Sequence, residues 1–428
     1  MVFDGLRLEP PRCHFTFRWG SACYTRVLTF PDPAAPALAA ADPAILRPLL
    51  GHVGLALAPQ LFALADFRRL VVEPLALSPA GVVFLRDLLR DGLAELRYRN
   101  GLDPATEVEI EADERRAGPA AEVAGHAGAL LLNGGGKDSA VGAEALKAAG
   151  VPFTWLAMNP APAMAAVAAA SGRADTLVLR LGGSRRTLAR DRRLRGHRPF
   201  NSLLAVAGLA TAYLTGRRWV VASNERSAGE PTLWREGVAI NHQHTKSLAF
   251  ESAFRRYAAA ELLAGVDYFS VLRPLWEVQI GALLARHPEY HRAFLSCNRG
   301  LYDGGWCRRC PKCAFTFLLL AAFLPPAEVR EILGGDPGAS DELVAWVDRL
   351  TREEERPFEC VGTRGESRLA LALAARRGMA VPATWDVPGV EETERLQATW
   401  LRDLAGHHHL PPELAPAVTG WFASGLRG

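Results

Sequence analysis

The sequence predicts an α/β fold: a doubly wound parallel sheet, preceded by an N-terminal α+β domain and followed by a mainly helical C-terminal region. Three observations carry that prediction. Residues 128–149 read as a buried apolar strand, a triple-glycine turn and a helix; strand and helix patterns then alternate through residue 222; and four clustered cysteines interrupt the alternation after residue 296. Strands separated by helical stretches favour parallel pairing, with helices crossing over the faces of the sheet. The chain accordingly divides into an N-terminal α+β domain (1–120), the sheet domain (121–296), a four-cysteine module (297–325) and a helical C-terminal region (326–428).

Taken in order, residues 12–31 alternate as two short strands, and helical patterns follow a Pro/Ala-rich break up to about residue 99. Residues 113–127 are rich in Ala, Gly and charge and read as a linker. Beyond the glycine turn, strands are expected near 151–158, 176–181 and 219–222, with a long helix over about 200–215 and an Ala-rich helix at 161–170. Functional residues in such sheets lie at the carboxyl ends of the strands. That rule points to Asn133 onward, to Asn159, and to the run Ser223, Asn224, Glu225 and Arg226.

The turn itself is suited to phosphates. Gly134, Gly135 and Gly136 let the backbone approach an anion and adopt positive φ, while the amides opening the next helix face it with the helix dipole behind them. Asp138 beside bound phosphates suggests a Mg²⁺ contact, and the Ser139 hydroxyl suits a phosphate oxygen or a cap. Neither the Walker spacing nor the Gly-x-Gly-x-x-Gly fingerprint is present.

Composition excludes several classes. The 428 residues, 49% hydrophobic and 22% charged, are enough for a large core. Forty-nine basic residues against 46 acidic give a net charge of +3, which makes no global case for nucleic acid or membrane binding. No secretory pattern opens the sequence and the apolar run at 313–324 is too short to span a bilayer, so a cytoplasmic protein is expected. Residues 185–198 hold seven arginines, readable as a solvated face or as a clamp for phosphates; no aromatics interleave them, as base stacking would require.

Cys297, Cys307, Cys310 and Cys313 follow the spacing Cys-x9-Cys-x2-Cys-x2-Cys. Four thiolates close a tetrahedral Zn²⁺ site of structural type; an iron-sulfur cluster needs the same number, and unmetallated thiols are the third reading. The densest polar segment is Asn241-His242-Gln243-His244-Thr245-Lys246-Ser247. Read as extended chain, His242, His244 and Lys246 share one face, and any of them, or a thiolate such as Cys360, suits proton transfer near neutral pH. Glu225 is a further candidate base or Mg²⁺ ligand.

The run Gly134-Gly135-Gly136-Lys137-Asp138-Ser139 resembles the PP-loop of ATP pyrophosphatases, whose Ser-Gly-Gly-x-Asp-Ser it matches except that Gly134 replaces the first serine. Together with the 241–247 segment, Tyr268 to Ile280, Ser296-Cys-Asn-Arg-Gly300, the cysteine quartet, Pro357-Phe-Glu-Cys-Val-Gly-Thr363 and Tyr98-Arg99-Asn100, it resembles the UDP-N-acetylmuramoyl-L-alanyl-L-glutamate epimerase family. The resemblance implies that residues 121–296 are a PP-loop nucleotide-binding domain, that ATP and Mg²⁺ are consumed to AMP and pyrophosphate, and that the terminal glutamate of a UDP-linked muramyl dipeptide is inverted in peptidoglycan synthesis, downstream of the ligase that adds L-glutamate. It also implies that Arg198 and Asn201 join Asn224 and the glycine loop in holding the nucleotide. Another adenylating PP-loop enzyme, an amide, nitrile or thiolation ligase, is the competing reading; no ammonia-supplying domain or sulfur-relay cysteine is visible for it.

Overall fold

The computed structural model describes residues 1–64, 66–114, 120–183, 194–335 and 337–427, so the part of the arginine run from Arg185 to Arg193 lies outside the described residues. Ten strands form one sheet: β1 (Val2–Glu9), β2 (Arg12–Trp19), β3 (Ala22–Thr29), β4 (Arg69–Leu77), β5 (Glu109–Glu114), β6 (Ala129–Leu132), β7 (Phe153–Met158), β8 (Thr176–Gly183), β9 (Trp219–Ala222) and β10 (Asp267–Ser270). Their order across the sheet is β10-β9-β6-β7-β8-β3-β2-β1-β4-β5. From β6 the chain builds outward through β7 and β8, then returns to add β9 and β10 on the other side, all in parallel. The reversal falls between β6 and β9. A doubly wound sheet opens a crevice at the carboxyl ends of the strands where its order reverses, and here that crevice lies after Leu132 and after Ala222.

The N-terminal strands are part of the same sheet. β1, β2 and β3 form an antiparallel meander, β3 pairs antiparallel with β8 through Leu28 opposite Leu181, and β4 and β5 extend the far edge in parallel. Backbone hydrogen bonding is therefore continuous across residue 120. Two elements depart from the sequence expectation. The helical pattern to residue 99 is interrupted by β4, where Leu70 and Val72 bury alternate positions beneath a Pro74-containing outer half. Within 113–127, Glu114 ends β5, and Ala121–Glu122 pairs with Leu263–Ala264.

Alternation along the central strands feeds two cores. Ala129, Leu131, Phe153, Trp155 and Val221 face one side, against helices α3 (Lys137–Ala148), α6 (Glu277–Leu284), α7 (Pro311–Phe323) and α9 (Arg364–Arg376). Leu130, Leu156, Met158 and Val220 face the other, against α1 (Pro43–Leu61), α2 (Pro79–Gly92), α4 (Phe200–Leu214) and α5 (Leu248–Tyr257). Strand residues that are apolar on successive positions are what a sheet covered on both faces requires. Helix α8 (Asp341–Arg352) joins α7 and α9 in the C-terminal layer. Helix α1 has the length and apolarity to cross a bilayer, but 72% of its apolar window is buried inside the molecule.

The junction between β3 and β8 generates a prediction. Gly183 sits opposite Arg26 with φ +138°, and a Cβ there would lie 2.1 Å from the Thr25 carbonyl oxygen, which is backbone and cannot yield. Gly183→Ala should lower stability by roughly 1–3 kcal/mol, and Gly182→Ala, where a Cβ meets open space, by less than about 0.5 kcal/mol. Denaturant melts of the two variants check this.

Candidate active site

The loop after β6 is built as a turn closed on itself. Asn133 Oδ1 accepts from the Gly135 amide at 2.9 Å, and Ser139 Oγ accepts from the Gly134 amide at 2.9 Å. Gly135 has φ +70°, and a Cβ on it would meet the Met164 nitrogen at 2.9 Å; glycine is required there. Gly136 is the N-cap of α3, so Lys137, Asp138 and Ser139 occupy its first turn. At Gly134 a Cβ would meet only Ser139 Oγ, at 3.7 Å, and the serine that the resemblance expects would fit.

Lys137 is 5% exposed and points inward, bonded to Asp138 at 2.5 Å and ion-paired with Glu277. Burial opposes its charge, but Asp138, Glu277 and Glu225 outweigh burial and hold its pKa above the ordinary lysine value. Glu277, at the start of α6, is pushed well above the usual carboxylate range, by burial first and by Asp138 and Glu225 against the pull of Lys137. Glu225, buried after β9, acts on both lysines of the site, Lys137 and Lys246. Asn224 beside it is buried, and its carbonyl accepts from Ser270 Oγ at 2.6 Å, tying the ends of β9 and β10.

The 241–247 segment is a tight turn and a short 3₁₀ helix, and not the extended chain its alternation suggests. Asn241 Oδ1 accepts from the Gln243 amide, and i to i+3 bonds follow from His244 to Asn241, Lys246 to Gln243 and Ser247 to His244. An Asx turn of this kind competes effectively with a strand. The three candidates consequently part. Lys246 Nζ reaches Cys360 Sγ at 3.7 Å, whereas His244 lines a cavity of about 640 Å³ between α2 and α5, with Asp87, Asp91 and Phe250, where burial lowers its pKa.

His242 stays on the Cys360 side. Its ring lies 4.8 Å from that of His197 and 6.2 Å from that of Phe358, its Nδ1 is 2.7 Å from Thr232 Oγ1, and its buried Nε2 has no hydrogen-bond partner among the described residues. Burial, with His197 and Arg356, lowers its pKa to about 3, so the ring is neutral at physiological pH. Cys360 is half-buried; burial would raise its pKa, but Lys246, Lys312 and His197 together bring it below the ordinary thiol value. Lys246 is held above the ordinary lysine value: burial opposes its charge, and Cys360, Glu225, Asp138 and Glu277 outweigh it. The two side chains thus stabilise each other as thiolate and ammonium.

Several groups that complete the site were not singled out as site residues in the sequence. Arg273 follows β10 by three residues and is 2% exposed; its Nη1 donates to the Glu225 carbonyl at 2.6 Å and its Nη2 to the Lys246 carbonyl at 2.6 Å. Glu251 accepts from Arg273 Nε at 3.1 Å and from Nη2 at 2.8 Å. Applying the strand-end rule to β10 would have found Arg273. His197 belongs to the segment before α4, where its amide donates to Glu95 at 2.5 Å and the Glu95 pair raises the ring's pKa against burial. Arg198 next to it is exposed and Asn201 lies half-buried in the first turn of α4, while the His197 ring meets that of His242. The Tyr98-Arg99-Asn100 motif supports the same wall: Tyr98 and Arg99 pack on Phe358, and Asn100 brackets Arg195 with two hydrogen bonds. Arg356 ties the Pro357–Thr363 turn to the chain before the 233–240 hairpin by donating to the Glu230 and Pro231 carbonyls.

The cysteine module lies at the N-terminus of α7. All four sulfurs fall within 4.8 Å of one another, Cys307 and Cys313 at 3.7 Å. The edge of a tetrahedron with zinc-sulfur bonds of about 2.3 Å is about 3.8 Å. The Gly300 and Cys313 amides donate to Cys297 and Cys310, as they would to thiolates. This arrangement fits one tetrahedral ion such as zinc, whereas a multi-iron cluster would hold its thiolates further apart. Asn298, adjacent to Cys297, donates to Glu359, adjacent to Cys360, so the module braces the turn that carries the thiol.

With this geometry in view, comparison with known proteins is informative. Residues 2–271 match the MurL N-terminal domain and residues 293–395 the MurL C-terminal domain. The chain is 35% identical over 419 residues to the UDP-N-acetyl-alpha-D-muramoyl-L-alanyl-L-glutamate epimerase of a Micromonospora species, covering 93% of this chain and 92% of that one. It is 32% identical over 427 residues to the enzyme of that name from Xanthomonas oryzae pv. oryzae, covering 93% and 91%. The one from Salinispora tropica is 35% identical over 377 residues, covering 83% and 79%. No solved structure matches the chain.

Two predictions follow from the loop and the module. Gly135→Ala should cost about 1–3 kcal/mol of stability, while Gly134→Ser should fold as stably as the parent; denaturant melts of both distinguish them. The protein should carry one zinc per chain by elemental analysis. Cys310→Ser should lose it and unfold at lower temperature, and a full complement of zinc in that variant would contradict the site.

Proposed function

The chain belongs to the MurL family, and from that membership we propose that it inverts the terminal L-glutamate of UDP-N-acetylmuramoyl-L-alanyl-L-glutamate, a peptidoglycan precursor, by an ATP-driven acyl-adenylate route. The observation that carries the reading is the Cys360–Lys246 pair, which shares one field of charges with Lys137, Asp138, Glu225 and Glu277 of the phosphate crevice. In this reading the groups that would activate a carboxylate and the groups that would move a proton share one set of buried charges.

A free carboxylate resists loss of its neighbouring Cα proton, because the enolate would place two negative charges on one small group. In the proposed route a substrate carboxylate oxygen attacks the α-phosphorus of ATP and pyrophosphate leaves, so the acyl group no longer carries that charge. Cys360 as thiolate is placed to exchange the Cα proton, with Lys246 keeping it ionised between turnovers. His242 is neutral; when Thr232 donates to its Nδ1, the unpartnered Nε2 carries the proton and supplies a donor on the same wall, for the enolate oxygen or the opposite face of Cα. Water then attacks the acyl carbon and AMP leaves.

Lys137 and the amides of the 134–136 turn would face the phosphates in the manner of a PP-loop, and Asp138 with Glu225 would hold Mg²⁺, which supplies charge neutralisation for the departing pyrophosphate. Arg198, Asn201 and Asn224 are read as further nucleotide contacts. The substrate is a small UDP-linked precursor, made upstream by the ligase that adds L-glutamate, and the reading places the enzyme in the cytoplasm, away from nucleic acid and membrane.

Incubation with ATP, Mg²⁺ and the L-glutamate precursor in D₂O should give AMP, pyrophosphate, D-glutamate and deuterium at Cα. Cys360→Ser should slow deuteration by about 10²- to 10⁴-fold while the loop still binds ATP, and wild-type exchange would remove Cys360 from the mechanism. Lys246→Met removes the cation that favours the thiolate, so the thiol pKa rises and the acid limb of the rate profile moves to higher pH. A limb unmoved in that variant would show that Cys360 is not the titrating group.

A further inference from the structure

We propose that His409, in the His407-His408-His409 tract, is a positioning residue for the active site, acting through Glu251 and Arg273 on the two backbone segments that carry Glu225 and Lys246. The proposal rests on the epimerase reading above for its kinetic part, and on geometry alone for the rest. His409 comes from the C-terminal region, more than 130 residues after the residue it orients, and nothing in its sequence context marks it as functional.

The chain of contacts is continuous. His409 Nδ1 lies 3.0 Å from Glu251 Oε1, and its Nε2 lies 3.2 Å from Ser252 Oγ. Glu251 is buried in the first turn of α5; its other oxygen takes both bonds from Arg273, and among the described residues Oε1 receives besides His409 only a long bond, 3.3 Å, from the Ser270 amide. Arg273 in turn grips the carbonyls of Glu225 and Lys246, each at 2.6 Å. A carboxylate can only accept, so Nδ1 of His409 must carry a proton, and Nε2 is left to Ser252.

The physical argument concerns orientation. Arg273 needs its guanidinium plane fixed to hold two carbonyls on different loops at once, and Glu251 fixes that plane only if its own carboxylate cannot rotate. Without His409, Oε1 keeps one weak bond and the carboxylate is held mainly through Oε2, about which it can tilt together with the guanidinium. Small displacements of the Lys246 carbonyl move the ammonium relative to Cys360, where a 3.7 Å contact has little slack. His409 lines a basin of about 840 Å³ beside Arg218, Arg255 and His408, so a substitution there leaves the crevice itself untouched.

Three variants test it, each read by two measurements on the full-length protein. Asn places its amide nitrogen where imidazole Nδ1 sits, so His409→Asn should restore the bond to Glu251, while His409→Ala and His409→Gln should not. The first readout needs no substrate: iodoacetamide alkylation of the Cys360 peptide, followed by mass spectrometry as a function of pH. The groups acting on that thiol are Lys246, Lys312, His197, Glu225 and Arg356; Arg273 holds the segments of two of them, Lys246 and Glu225, and of these Lys246 is the one that lowers the thiol pKa and touches the sulfur. His409→Ala and His409→Gln should shift the alkylation midpoint upward by at least half a pH unit, and His409→Asn should return it to wild type. The second readout is Cα deuteration, where the Ala variant should lose about 10- to 100-fold in kcat with little change in KM, rescued by Asn. An unchanged alkylation profile in the Ala variant, or equal loss in Asn and Ala, would overturn the proposal. A shifted and Asn-rescued profile in a protein that never inverts glutamate would uphold the relay and sink the epimerase reading instead.

Discussion

The active site is organised by one buried arginine. Arg273 is accommodated at 2% exposure because Glu251 neutralises it through two hydrogen bonds and because two further donors end on backbone carbonyls. A buried ion pair adds little net stability, but leaving either member alone is costly, so the pair imposes a geometry. Here the geometry joins three loops at the carboxyl end of the sheet: the segment after β9 carrying Glu225, the turn carrying Lys246, and the segment after β10 carrying Arg273 itself.

That constraint makes the charge arrangement intelligible. Two lysines, Lys137 and Lys246, sit among Asp138, Glu225, Glu277 and the Cys360 thiol, all substantially withdrawn from water. Each lysine is stabilised in part by anions from other loops, Lys137 by Glu277 and Glu225 and Lys246 by Cys360, Glu225, Asp138 and Glu277, so the positions of β6, β9, α6 and the 357–363 turn are coupled electrostatically. Glu366 couples them mechanically as well, accepting from Ser227, Thr363 and the Val278 amide at full burial. The cysteine module adds a third brace through Asn298 and Glu359. The thiol is therefore placed by residues from both family domains, which explains why the site spans residues 133–366 and is not confined to the glycine loop.

Local chemistry was legible in the sequence wherever it is local in space. The glycine turn, the strands at 153–158, 176–183 and 219–222, the helix at 200–214 and the cysteine quartet all depend on neighbours in the chain, and their residues announce them. The extended reading of 241–247 failed because one Asn side chain captures the Gln243 amide and bends the backbone, an effect that apolar-polar alternation does not register. Burial of Arg273, the meeting of His197 with His242 and the ammonium beside Cys360 are long-range facts. They follow from topology, since a sheet whose order reverses between β6 and β9 must bring residues 133, 224 and 271 onward to one edge. Nor does composition show that the meander of β1 to β3 joins β8, because edge-to-edge pairing leaves no periodic trace in either strand.

The central claim is that carboxylate activation precedes proton removal at one crevice. Substrate labelled with ¹⁸O in the α-carboxylate of its terminal glutamate tests this most directly. If a carboxylate oxygen attacks the α-phosphorus and water later attacks the acyl carbon, the label must appear in the phosphate of AMP as D-glutamate forms. AMP free of ¹⁸O, with both labelled oxygens retained in the inverted product, would contradict the account.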